Sequence, residues 1–142
     1  MSLRADELER LVSVTRAEIT ASGRYVPICL GLSGASTLKM CETLDETAAW
    51  PIDGYLIASP YYTRPSQRGL LAHFTALAEH ASWPIVLYNI PYRTAVHLDN
   101  DTLLALAEHP NVVGLKDCCA DRRAARSGHR AANVCRITDR RG

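Results

Sequence analysis

No stretch of the 142 residues approaches the roughly 20 consecutive apolar residues of a membrane-spanning helix, and the amino terminus carries no apolar signal segment. The chain therefore reads as soluble, with no membrane partner. Disulfide and zinc signatures are missing too. The cysteines Cys29, Cys41, Cys118, Cys119 and Cys135 are odd in number and never stand as Cys-x-x-Cys, so a reducing cytoplasm is the natural compartment. His73, His80, His97, His109 and His129 form no His-x-x-x-His or His-Glu pattern. No metal site is expected from them, and all five read as surface or helix-end residues.

A net charge of +1 conceals an uneven distribution. Residues 1–118 hold nine Lys or Arg against thirteen Asp or Glu, while residues 119–142 hold seven Arg against two Asp. This Arg/Ala-rich tail has poor apolar periodicity and reads as an aberrant, frameshifted or disordered end, with an ordinary solvated helix as the alternative. It has no aromatic stacking residue and no recognisable binding motif, so nucleic acid is not an expected partner.

With 47% hydrophobic residues the chain can bury a core. Leu8, Leu11, Val12, Thr15 and Ile19 recur at helical spacing from Asp6 to about Ala21, and Gly23 stands where a left-handed cap would. Val26 to Gly31 then reads as a buried strand, and the turn Ser33 to Thr37 caps a helix running to about Trp50. The unit repeats. Gly54 to Ala58 is a strand, and Pro65-Ser66 opens a helix with Leu70, Leu71, Phe74, Leu77 and Ala78 on one face. Pro84 to Tyr88 is a third strand. Asn100 or Asp101 caps a helix that stops at His109-Pro110, before a fourth strand from Val112 to Lys116. Strand starts near 26, 54, 84 and 112 suit successive strand–helix units, hence an α/β fold with a parallel sheet. A complete (β/α)8 barrel needs roughly 200 residues or more, so only part of one fits here.

Parallel strands of a barrel place a site at their carboxyl ends, where Tyr88, Arg93 and Lys116 would converge on one opening. The motif Tyr88-Asn89-Ile90-Pro91-x-Arg93-Thr94 is followed by Val113-Gly114-Leu115-Lys116-Asp117 and preceded by Ser59-Pro60-Tyr61-Tyr62. Together they resemble the dihydrodipicolinate synthase and N-acetylneuraminate lyase family of Schiff-base aldolases, almost without gaps from about Leu3 to Asp117. The resemblance implies the central units of a TIM barrel in residues 1–118. The family's first strands, with a Gly-Thr-Thr-Gly-Glu loop, would fall upstream of Met1, and its last strands after Asp117. A chain truncated in this way would be a non-catalytic fragment if its proton relay is broken.

Lys116 closes an apolar strand, where desolvation favours the neutral amine that a Schiff-base nucleophile requires. By resemblance it is the imine-forming lysine. Tyr88 then matches the tyrosine that donates and accepts protons during imine formation and carbon–carbon bond making. Tyr62, 26 residues earlier, matches a second tyrosine that reaches into a neighbouring subunit's site and implies a dimer or tetramer. Arg93 could grip a carboxylate in bidentate fashion and matches the arginine that marks the dihydrodipicolinate synthases. The implied reaction condenses pyruvate with aspartate 4-semialdehyde to give 4-hydroxy-tetrahydrodipicolinate in lysine biosynthesis. It needs no cofactor, because the protonated imine is the electron sink. A pyruvate-dependent aldolase for a sugar acid or sialic acid is the alternative. Tyr92 and Ala95 depart from the family pattern, which has a small residue and a glycine there, so the entrance is expected to differ in shape.

Overall fold

The computed structural model describes residues 3–118; the Arg/Ala-rich tail lies outside them. Four strands, β1 (Cys29–Leu32), β2 (Gly54–Ala58), β3 (Ile85–Asn89) and β4 (Val112–Asp117), form one parallel sheet in the order β1-β2-β3-β4. The helices are α1 (Ala5–Ala21), α2 (Thr37–Thr47), α3 (Gln67–His80), the single turn α4 (Pro91–Thr94) and α5 (Asn100–Ala107). Four strands alternating with four helices is thus the observed plan, with α4 as an addition. A turn beginning at Pro91 and ending four residues later is too short to show apolar periodicity.

Local chemistry sets the element ends. Ser36 and Ser66 cap α2 and α3 by accepting the N–H groups of Lys39 and Gly69. The cap of α5 is Asp99, whose Oδ1 accepts the Thr102 N–H at 2.9 Å, and not Asn100 or Asp101 as the sequence reading has it. Those residues lie inside the first turn, and each of the three polar side chains in a row was a chemically competent cap. Gly23 follows α1 at φ 68°, the left-handed position expected of it. Gly54 has a packing reason, since a Cβ there would lie 3.0 Å from the Pro84 carbonyl oxygen of the neighbouring strand's approach.

Side chains alternate across a strand, and the two faces of this sheet have different fates. Tyr55, Ile57, Ile85 and Leu87 turn toward the helices and join Leu44, Leu70, Phe74, Leu77 and Leu106 in one buried core. The Tyr55 hydroxyl is satisfied there, 2.9 Å from Thr47 Oγ1. Leu56, Ala58 and Tyr88 face the other way, onto an open cleft. Asn111 Nδ2 donates to the carbonyls of Ala78 and Ala81 at 3.0 and 2.9 Å, which ties the end of α3 to the approach of β4.

Asp53 anchors α1 to the sheet by accepting from Arg16 and from the Ile28 N–H, with the Tyr25 hydroxyl at 3.3 Å. Burial alone would push its carboxyl up, but the Arg16 and Ile28 bonds and the Arg16 charge outweigh that and hold it below the ordinary carboxylate value.

His73 corrects the surface reading of the histidines. It is buried, with 5% of its surface exposed, on the same stripe of α3 as Leu70, Phe74 and Leu77. Its position three residues after Leu70 and four before Leu77 places it on the core face, so the helical period outranked its polar side chain. His80, by contrast, ends α3 and lies 2.8 Å from Asp45.

Candidate active site at the carboxyl ends of the strands

The fourth strand enters the sheet with a slip. Ile85 pairs with Val112 but Val86 pairs with Gly114, so Val113 is an extra residue. One residue of register turns every following side chain to the opposite face. With the slip Lys116 pairs with Tyr88, and both leave the sheet on the cleft side. Gly114 in an otherwise β-branched run was the sequence signal for this irregularity.

Lys116 Nζ lies 4.1 Å from the centre of the Tyr88 ring, a cation–π contact. Tyr88 and Arg93 share a cleft of about 410 Å³ with Gly31, Ser33, Tyr61 and Thr94. Its polar groups therefore come from the loops that follow the carboxyl ends of β1, β2 and β3 and from Tyr88 in β3 itself. Arg93 sits in α4, its guanidinium 5.6 Å from the Tyr92 ring centre.

Tyr62 does not join this group. It is 94% exposed in the loop after β2, at φ 73°, while Tyr61 lines the cleft. The structure thus brings Lys116, Tyr88 and Arg93 to one end of the sheet and leaves Tyr62 projecting outward. Thr94 was missed as a site residue. It is buried, and its hydroxyl donates to the Ile90 carbonyl at 3.2 Å or to that of Val96 at 3.0 Å, which closes the α4 turn under Arg93.

Ala95 ends that turn at φ 58° and ψ 17°, its N–H bonded to the Pro91 carbonyl at 2.8 Å. A left-handed residue with a Cβ is strained by about 1 kcal/mol, which supplies a physical reason for the glycine of the family pattern. Ala95→Gly is expected to stabilise the fold by about 1 kcal/mol, read as a higher urea midpoint at unchanged slope. An unchanged or lower midpoint would show that no strain resides there.

Among the described residues no cluster of His, Cys, Asp and Glu could hold a metal ion, and no helix is long and apolar enough to cross a membrane.

Four parallel strands alternating with helices, with Lys116 and Tyr88 side by side at the strands' carboxyl ends, make this an α/β protein of the kind that builds parallel barrels. The chain belongs to the dihydrodipicolinate synthetase family, whose profile matches residues 1–133. It is 41% identical over 109 residues to 4-hydroxy-tetrahydrodipicolinate synthase 2 of Clostridium acetobutylicum, covering 77% of this chain and 38% of that protein. Its fold superposes on a monomeric dihydrodipicolinate synthase variant with a TM-score of 0.78 at 32% identity, over 86% of this chain and 40% of the other. The chloride-inhibited dihydrodipicolinate synthase of Acinetobacter baumannii, complexed with pyruvate, gives a TM-score of 0.74 at 35% identity, over 89% and 42%. The chain spans about 40% of the length of the relatives it matches.

Proposed function

We propose that this site is that of a Schiff-base lyase of the 4-hydroxy-tetrahydrodipicolinate synthase type, acting on pyruvate and aspartate 4-semialdehyde. The observation that carries the reading is the pairing of Lys116 with Tyr88 at the strand ends beside the Arg93 cleft. Lys116 Nζ adds to the keto carbon of pyruvate and water leaves, forming a protonated imine. Loss of a methyl proton gives an enamine, whose carbon attacks the aldehyde. Tyr88, whose ring lies against the amine, supplies the phenol that carries protons to and from the carbinolamine oxygen in this reading. Arg93 offers two parallel N–H groups to a substrate carboxylate.

Tyr62 fits a different role. An exposed aromatic on a left-handed loop is suited to contact with another subunit, so a homo-oligomer of two or four chains belongs to this proposal, as does a cytoplasmic setting. The protein relatives named 4-hydroxy-tetrahydrodipicolinate synthase and the pyruvate complex of the Acinetobacter enzyme support the choice of substrates.

The test is borohydride reduction in the presence of pyruvate, followed by peptide mapping. A pyruvyl adduct on Lys116 is the expected result, and aldehyde acceptors then separate the aspartate semialdehyde reaction from a sugar-acid aldolase. A folded sample that forms no adduct would overturn the proposal.

A further inference from the structure

Asn89 ends β3 and is fully buried, yet its side chain meets two separate segments, the end of β4 and the His97-Leu98 loop. Its Nδ2 donates to Asp117 Oδ1 at 3.1 Å and lies 3.0 Å from His97 Nδ1, while its Oδ1 accepts the Leu98 N–H at 3.1 Å. Its backbone carbonyl accepts the Cys118 N–H at 2.8 Å. Asn89 follows Tyr88 and Asp117 follows Lys116, and the two pairs stand opposite each other in the ladder. Alternation puts Tyr88 and Lys116 on the cleft side and the Asn89–Asp117 bond on the reverse side, directly behind them.

We infer that Asn89 is a positioning residue: by bridging Asp117, His97 and Leu98 it locks the carboxyl ends of β3 and β4 in register and so holds Lys116 against Tyr88. Two features support this. The Asp117 carboxylate and the Leu98 N–H need a donor and an acceptor from one short side chain, and an amide supplies both. The clamp also lies at the end of a strand that has already slipped once, where a further slip would turn Lys116 off the cleft face.

The consequence for pyruvate chemistry rests on the function proposed above, but the geometry can be tested without it. The chain contains two lysines, and the exposed Lys39 is an internal reference for Lys116. Asn89→Asp keeps the side-chain shape and the acceptor for Leu98 but sets a carboxylate against Asp117. It is expected to raise the reductive methylation of Lys116 relative to Lys39, as the released amine swings into solvent. Pyruvyl adduct formation on Lys116 is expected to slow by about ten- to a hundredfold, the cost of a displaced reacting group.

Combining Asn89→Asp with Asp117→Asn exchanges donor and acceptor across the same bond and is expected to reverse most of both changes, a rescue that general loosening of the fold would not give. Parent-like labelling in Asn89→Asp, or no recovery in the double variant, would overturn the inference. Should Asn89→Asp fail to fold by circular dichroism, Asp117→Ala, which removes only the partner carboxylate, carries the same two expectations. If the parent chain forms no pyruvyl adduct, the functional reading falls, and the methylation ratio still decides the clamp.

Discussion

Lys116→Met is expected to abolish pyruvyl adduct formation and to lower any condensation activity of the chain by roughly a thousandfold or more, as removal of a covalent nucleophile does. Methionine keeps most of the apolar stem that packs along β4, so the fold should survive. What it loses is the amine and the cation–π contact with Tyr88, the latter worth about 0.5–1 kcal/mol at a partly exposed site. Lys116→Arg separates the two losses. A guanidinium keeps the charge over the Tyr88 ring but forms no imine under these conditions, so this variant should be as inactive as the methionine variant and more stable. Condensation activity in Lys116→Arg would show that the side chain acts through its charge, and the imine route would fail.

Much of this architecture was legible because it depends on local pattern. Runs such as Ile85-Val86-Leu87 and Val112-Val113 have the buried, β-branched character of central parallel strands, and the observed strands begin within three residues of the expected starts. Ser36, Ser66 and Gly23 work as the sequence indicates, because a cap is a contact between near neighbours. Less legible was whatever depends on partners far along the chain. Asn89 stands inside the quoted motif, but its bond to Asp117 spans 28 residues and no local rule announces it. His73 looked like a polar helix residue, and Thr37, which accommodates it, lies 36 residues away. The slip at Val113 decides which way Lys116 points, yet a single glycine was its only mark. Resemblance pointed to the lysine, the tyrosine and the arginine without any of these supports, and the fold brings the three to one end of the sheet.

The buried His73 is expected to make the fold acid-sensitive well above the range where carboxylates titrate. Its Nδ1 lies 2.7 Å from Thr37 Oγ1, its ring meets Phe74 edge-on with centres 5.2 Å apart, and its Nε2 is buried with no hydrogen-bond partner among the described residues. An imidazolium there would be a desolvated charge, so burial lowers the His73 pKa from 6.5 to about 4. Well above pH 6.5 the ring is neutral folded or unfolded, and His73 contributes no pH dependence. As the pH falls from 6.5 toward 4 the unfolded chain takes up a proton that the folded chain refuses, and stability drops. The full loss, reached near the folded pKa, is about 3 kcal/mol at 1.36 kcal/mol per unit. Asp53 acts in a different window, because its lowered pKa gives stability that is present above 3.8 and lost only as the pH falls through its folded value. Urea midpoints of the parent chain should therefore fall steadily between about pH 7 and about pH 4.5. Those of His73→Gln, which keeps an acceptor for Thr37 but cannot titrate, should fall much less. Equal slopes in the two proteins would mean that His73 is not held neutral in the fold.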